Sequence, residues 1–305
     1  MATATSSNQL ATYTAVPLVG LVSKDVVPFP LFLRTADNTW VLYHPAAAPL
    51  DESHLGRLQA EGTVQLYVRD GDRGMYFARV ESSLDRVLLE RNMPLERRAD
   101  VLHGVALAMA EDLLAAAPDR GGLQRATRVM LATSGLLVRE AQGFQAIRRV
   151  LASSKGLAAH SLTVSFLTMG LARIVLGGDA STLMQAGLAG LLHDVGKVGY
   201  EELDHDPEHG QRGAELLRGL ALPPMVLDAV RSHHERWDGT GYPQGLMGAQ
   251  IPDIARVVGL VDTFDKVYSG QQPRVGVFDA LRILAQAYRG CFDEKLALGL
   301  VKLFR

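Results

Sequence analysis

Leu191-Leu192-His193-Asp194-Val195-Gly196-Lys197 opens, and His233-His234-Glu235-Arg236-Trp237-Asp238-Gly239-Thr240-Gly241-Tyr242-Pro243 closes, the stretch that decides how this chain is read. Two short, separate blocks hold imidazoles, a carboxylate and a lysine. Side chains adjacent on a helix point about 100° apart, so a His-Asp or His-His pair can reach one centre only if that centre lies close to the backbone. A metal ion, or two, meets that condition. Neutral imidazole and carboxylate are ligands that Fe, Mn, Zn and Ni accept, and a carboxylate can bridge two ions. Polar turns that happen to carry histidine would account for a lone His-Asp pair, but they account poorly for two such blocks.

The rest of the chain sets outer bounds. Its 305 residues, 48% of them hydrophobic, are enough for a sizeable core and favour two domains over one. A formal net charge of −2 supplies no basic field for counterion release, which argues against polymeric nucleic acid as a partner. Cys291 is the single cysteine, so no intramolecular disulfide framework exists, and a reducing cytoplasm suits the chain. The opening residues lack the basic and apolar regions of a secretory signal, and residues 1–15 read as a disordered polar tail. The nearest approach to a membrane span runs from Gly156 to Leu176, but His160 and Arg173 interrupt it. It reads as a buried core helix.

Taken in order, residues 16–82 predict a small, non-catalytic α+β domain of short strands. Leu31-Phe32-Leu33 and Trp40-Val41-Leu42-Tyr43 flank a turn at Asp37-Asn38, Asp51 to Ala60 suits one amphipathic helix, and Val64 to Val68 alternates like another strand. After Leu84 the period becomes helical. Leu102, Val105, Met109, Leu113 and Ala116 predict a first long helix, and a second follows from Leu123 toward Glu140, so residues 83–145 form a helical connector. Its stripes suit a homodimer seam and bundle packing equally well. A helix through Met184, Leu188 and Leu191 should deliver His193 and Asp194 at its end. Gly196 would then turn the chain so that Lys197 faces the same pocket. Further helices are expected from about Ala214, before His233, and around Val277 to Tyr288 and Glu294 to Phe304.

His193-Asp194 with Gly196-Lys197, followed by His233-His234-Glu235-Arg236, Asp238-Gly239 and Gly241-Tyr242-Pro243, resembles the HD-GYP family of the HD phosphohydrolase superfamily. The resemblance covers residues 146–305 and implies a mainly α fold, an HD-GYP helical bundle that hydrolyses cyclic di-GMP at a metal centre. Phe29 to Tyr76 loosely resembles a non-catalytic region ahead of some such domains. By resemblance His160 is the first metal ligand, His209 rather than His205 the histidine four residues before a glycine, and Asp262 the last ligand. Fe or Mn is then implied rather than Zn or Ni. The turn with Tyr242 would lie beside the substrate or dock diguanylate cyclase domains.

His160, His193, Asp194, His209, His233, His234 and Asp262 together offer more donors than one ion needs, so two divalent ions are expected, bridged by Asp194. A water between them would attack phosphorus in line, and Lys197 would neutralise the phosphoryl oxygens. Arg236 could contact phosphate or brace the pocket through a carboxylate. Gly156 stands where some members carry a glutamate for a third ion. His193 and His209 are only 209 − 193 = 16 positions apart, a short segment for this family, and Gln271 replaces the first of two expected arginines, leaving Arg274. Retention of every ligand and Lys197 favours a phosphodiesterase acting on cyclic di-GMP or a related cyclic dinucleotide. The short segment and Gln271 favour a nucleotide sensor or docking module that keeps metal and fold.

Overall fold

The computed structural model describes residues 12–18, 21, 26–35, 37, 39–61, 63, 65–150, 156–200, 206–270 and 275–305. Asn38, Lys155, His205, Gln271 and Arg274 lie outside the described residues. The chain divides into two compact units, Met1–Arg91 and Asn92–Arg305.

In the first unit the strands are β1 (Tyr13–Pro17), β2 (Val26–Val27), β3 (Leu31–Arg34), β4 (Trp40–His44), β5 (Ala48–Pro49) and β6 (Gln65–Arg69). β1, β6, β3 and β4 form an antiparallel sheet in that order, while β2 pairs with β5. β3 and β4 are the expected hairpin, with Leu33 opposite Val41. Val16, Leu66 and Val68 alternate onto one buried face, as a half-buried strand requires. The polar tail expected over 1–15 is shorter at its end, because Thr14 and Val16 take up register with Val68 and Leu66 from Tyr13 onward. Helix α1 (Glu52–Ala60) is entered through Asp51, whose carboxylate accepts the Ser53 N–H.

A second correction concerns the end of this unit. Residues 73–81, expected to be strand-like, form helix α2 (Arg73–Glu81), and α3 (Leu84–Leu89) follows. Tyr76, Phe77 and Val80 are buried together on α2, a spacing of three to four that marks a helix face rather than an alternating strand.

Among its described residues the second unit has only helices as regular elements: α4 (Leu95–Leu114), α5 (Arg120–Arg139), α6 (Gly143–Val150), α7 (Leu157–Val175), α8 (Ala180–Leu192), α9 (His209–Leu216), α10 (Pro224–Ser232), α11 (Asp253–Gly270), α12 (Val277–Ala287) and α13 (Glu294–Leu303). Aspartates open three of them. Asp119, Asp179 and Asp293 accept backbone N–H groups at the starts of α5, α8 and α13. Helix α7 is long and apolar enough by composition to cross a membrane, yet most of it is buried against α8, α4, α11 and α13. It is the core helix of the bundle. α7 and α8 approach closely, since a Cβ on Gly190 would stand 2.7 Å from the Ser165 Cα.

One boundary differs from expectation. Helix α9 begins at His209, not at about Ala214, and α11, for which no bounds were expected, runs through Asp262 to Gly270. In both cases polar residues occupy one helical face that turns toward a shared centre, and polarity had obscured the period.

A candidate metal centre

Five secondary elements aim side chains at one point. α7 carries His160 in its first turn, α8 ends at His193 and Asp194, α9 starts with His209, α10 ends at His233 and His234, and α11 carries Asp262. His193, Asp194, His209, His233 and Asp262 are each at most 3% exposed. Two groups emerge: His160, His193 and Asp194 on one side, and His209, His233 and His234 on the other. Asp194 joins them. Its Oδ2 lies 3.4 Å from His193 Nε2, and its Oδ1 lies 3.0 Å from His209 Nε2 and 3.8 Å from His233 Nε2. Asp262 Oδ1 closes the first group, 3.1 Å from His160 Nε2 and 3.5 Å from His193 Nε2.

The ring tautomers show what these groups need. His193 Nδ1 donates to the Gly190 carbonyl at 2.8 Å, His233 Nδ1 to Val230 O at 2.8 Å, His209 Nδ1 to Asp206 O, and His160 Nδ1 to Asp265 Oδ2 at 2.7 Å. Nδ1 is thereby the donor in each ring, and Nε2 is the atom turned inward. His209 Nε2 then lies 3.2 Å from His233 Nε2 and 3.1 Å from His234 Nε2. Two Nε2 lone pairs facing each other at that distance, as the Nδ1–H tautomers of His209 and His233 place them, repel unless a cation sits between them. His160 Nε2, His193 Nε2, Asp194 Oδ1 and Asp262 Oδ1 are buried and make no hydrogen bond, which is costly without an ion. The residues fit one or two divalent metals, with the outer hydrogen bonds that orient metal-binding histidines already in place.

The electrostatics divide along the same line. Burial alone would raise Asp194 and Asp262, yet neighbouring histidines and lysines hold both well below the usual carboxylate range. His193 would be lowered by its burial, but Asp194 and Asp262 push it up to about 9. Burial pulls His233 down and takes His234 down to about 3. One end of the cluster thus demands positive charge, and the other refuses a proton.

Lys197 donates from Nζ to Asp194 Oδ2 at 2.6 Å. Gly196, expected to turn the chain, has another reason to be glycine: a Cβ there would stand 2.0 Å from the His209 carbonyl oxygen, and its φ is not left-handed. The close approach seats the start of α9 against the end of α8. Tyr242 stacks on His234, centroids 4.7 Å apart, at the rim of the cluster. Its turn is held from beneath by Glu235, buried, which accepts the Gln244 and Leu246 N–H groups at 2.7 and 2.9 Å. A Cβ on Gly241 would meet the Arg236 nitrogen at 2.3 Å, so the turn lies flat on the His234–Arg236 backbone. Arg236 lays its guanidinium over the Tyr288 and Phe292 rings, 5.2 and 5.8 Å from their centroids.

Sequence reasoning gave no role to Asp265, Lys266 or Glu235. Asp265 orients His160, and Lys266 Nζ donates to Asp262 Oδ2 at 2.7 Å. Both lie three and four positions after Asp262 on one face of α11, a signal available once that helix is carried through Asp262. Gly156 is the residue before α7, with φ of 101°, and it supplies no side chain to the cluster.

Comparison with known proteins agrees with this architecture. The HD domain family model matches residues 157–266. A cyclic di-GMP phosphodiesterase of Pseudomonas aeruginosa is 34% identical over 185 residues, which cover 55% of this chain and 44% of that protein. The cyclic di-GMP phosphodiesterase response regulator RpfG of Xanthomonas campestris pv. campestris is 26% identical over 250 residues, 76% of this chain and 65% of the relative. The chain therefore spans less than two thirds of either relative's length. Among solved structures, an HDG"Y"P protein from Bdellovibrio bacteriovorus shares the fold, with a TM-score of 0.68 at 18% identity, covering 96% of this chain and 99% of that one. Residues 157–266 thus match the HD domain family model, and the chain shares its fold with an HDG"Y"P protein.

Proposed function

We propose that this protein is a metal-dependent phosphodiesterase that hydrolyses a cyclic dinucleotide, with cyclic di-GMP the first candidate. The observation that carries the reading is the cluster itself: two donor groups, His160–His193–Asp194 and His209–His233–His234, share Asp194 and turn Nε2 atoms inward. These residues would hold two divalent ions, Fe or Mn in the first instance. Bound there, such ions supply Lewis acidity and lower the pKa of a water so that it can attack phosphorus. The names of the relatives support the substrate class.

The chain's own residues do the remaining work. Asp262 and His160 complete the first group, and Asp265 keeps His160 in the tautomer that offers Nε2. Lys197, 26% exposed and tied to Asp194, presents its ammonium at the edge of the cluster, where it can neutralise a non-bridging phosphoryl oxygen. Tyr242, stacked on His234 and part-exposed, offers a ring face to a nucleobase or ribose.

The test is to load the full chain anaerobically with Fe(II) or Mn(II) and to offer cyclic di-GMP, cyclic di-AMP and cyclic GMP-AMP in parallel, following linear product by chromatography. The reading requires metal-dependent conversion of at least one cyclic dinucleotide. Tight binding of these ligands by the loaded protein, with no linear product from any of them, would replace it with a nucleotide sensor.

A further inference from the structure

Two lysines bracket the cluster, and only one has been given a task. Lys197 Nζ holds Asp194 Oδ2 at 2.6 Å and Lys266 Nζ holds Asp262 Oδ2 at 2.7 Å. The carboxylates are almost wholly buried, 2% exposed each, whereas the Lys266 side chain is 46% exposed. Lys266 therefore reaches inward to its aspartate from a position open to solvent. It also interacts electrostatically with Asp194 and Tyr242.

The ammonium groups of Lys197 and Lys266 each pair with one buried carboxylate, Asp194 and Asp262. Divalent cations on the same carboxylates take over that task and leave the cluster with surplus positive charge. An ammonium on a flexible four-carbon stem is then repelled by the ions and attracted by any anion that enters the mouth. We propose that Lys266 is a phosphate-binding residue: it rests on Asp262 and transfers to a phosphate oxygen of the ligand once the metals are in place. This rests on the reading that the cluster takes a phosphoester, and it adds a binding cation that the motif residues do not include.

Calorimetric titration of inorganic phosphate into the Mn(II)-loaded full chain tests it, with metal content measured on the same samples. Lys266→Ala should weaken phosphate binding roughly tenfold with metal content unchanged, and Lys266→Arg should bind within about threefold of the wild type, since the cation is restored. Two results overturn it: phosphate binding by Lys266→Ala equal to wild type, or a loss that disappears when Mn(II) is raised to saturation. The second would make Lys266 a support for Asp262 alone. A wild-type protein that binds phosphate through Lys266 but cleaves no cyclic dinucleotide would sink the proposed activity and leave this assignment standing.

Discussion

At the scale of single residues, four imidazoles donate Nδ1–H hydrogen bonds to fixed acceptors and so turn Nε2 toward the cluster. Asp265 is the only side chain among those acceptors, and it is 10% exposed where it meets His160. Asp265→Ala frees the His160 ring to rotate and to change tautomer. Metal affinity should fall by about 10- to 100-fold, measured by competition with a chelating dye, while Asp265→Asn should lose less because the amide oxygen still accepts. Unchanged affinity in Asp265→Ala would mean that packing alone holds the ring. Glu235→Ala is a second expected lesion, leaving two loop N–H groups without their acceptor at a cost of about 1–3 kcal/mol, read as a lowered denaturation midpoint. Most ligand positions were legible in the sequence, because His-Asp and His-His neighbours are rare and chemically pointed. Asp265 and Lys266 were not, since their relation to Asp262 exists only on a continuous helix.

Elements position these residues, and α8 matters most because it ends in His193-Asp194. Its first turn is held by Asp179, which accepts the Thr182 N–H at 2.9 Å. Hydrogen bonding to that backbone holds the Asp179 carboxyl below its ordinary 3.8. A folded-state pKa that is depressed stabilises the native state above the unfolded value, and the benefit disappears as pH falls through the folded one. Asp179→Ala should therefore lower the melting temperature at pH 7, and the gap to wild type should narrow as pH falls below the ordinary carboxylate value of 3.8. A gap that stays constant down to pH 2 would assign the loss to something other than the carboxylate.

Farther along α8, Gly190→Ala would drive a Cβ to 2.7 Å from a backbone atom of α7, which cannot yield as a side-chain end could. It should destabilise by about 1–3 kcal/mol and reduce metal content, since His160 and His193 sit on the two helices being forced apart. Helix existence was readable from apolar spacing. Helix ends were not, as α2, the start of α9 and the reach of α11 through Asp262 show. Where a helix turns polar residues toward a metal site, the amphipathic signal fades at the very place function needs it.

For the whole molecule, every described donor of the cluster lies between His160 and Asp262, well inside the second unit, Asn92–Arg305. A protein beginning at Asn92, if it folds, should hold as much metal as the full chain. The near-neutral charge, −2 over 305 residues, means that attraction for an anionic ligand must come from the site itself rather than from the surface at large. The fold of the helical unit was legible because its motif blocks fix which helix ends must meet. What the sequence could not convey is which lysines and carboxylates sit behind or above the ligands, because that depends on packing between helices far apart in the chain.

The central claim is that the cluster is a two-ion hydrolytic centre. It is tested most directly by titrating metal-free protein with Mn(II) under anaerobic conditions and measuring cyclic di-GMP cleavage at each addition. The account predicts little turnover up to about one equivalent and a steep rise to a plateau near two, with Asp194→Ala flat throughout because the shared carboxylate is gone. Full turnover at one equivalent, or none at saturation with both ions bound, would contradict it.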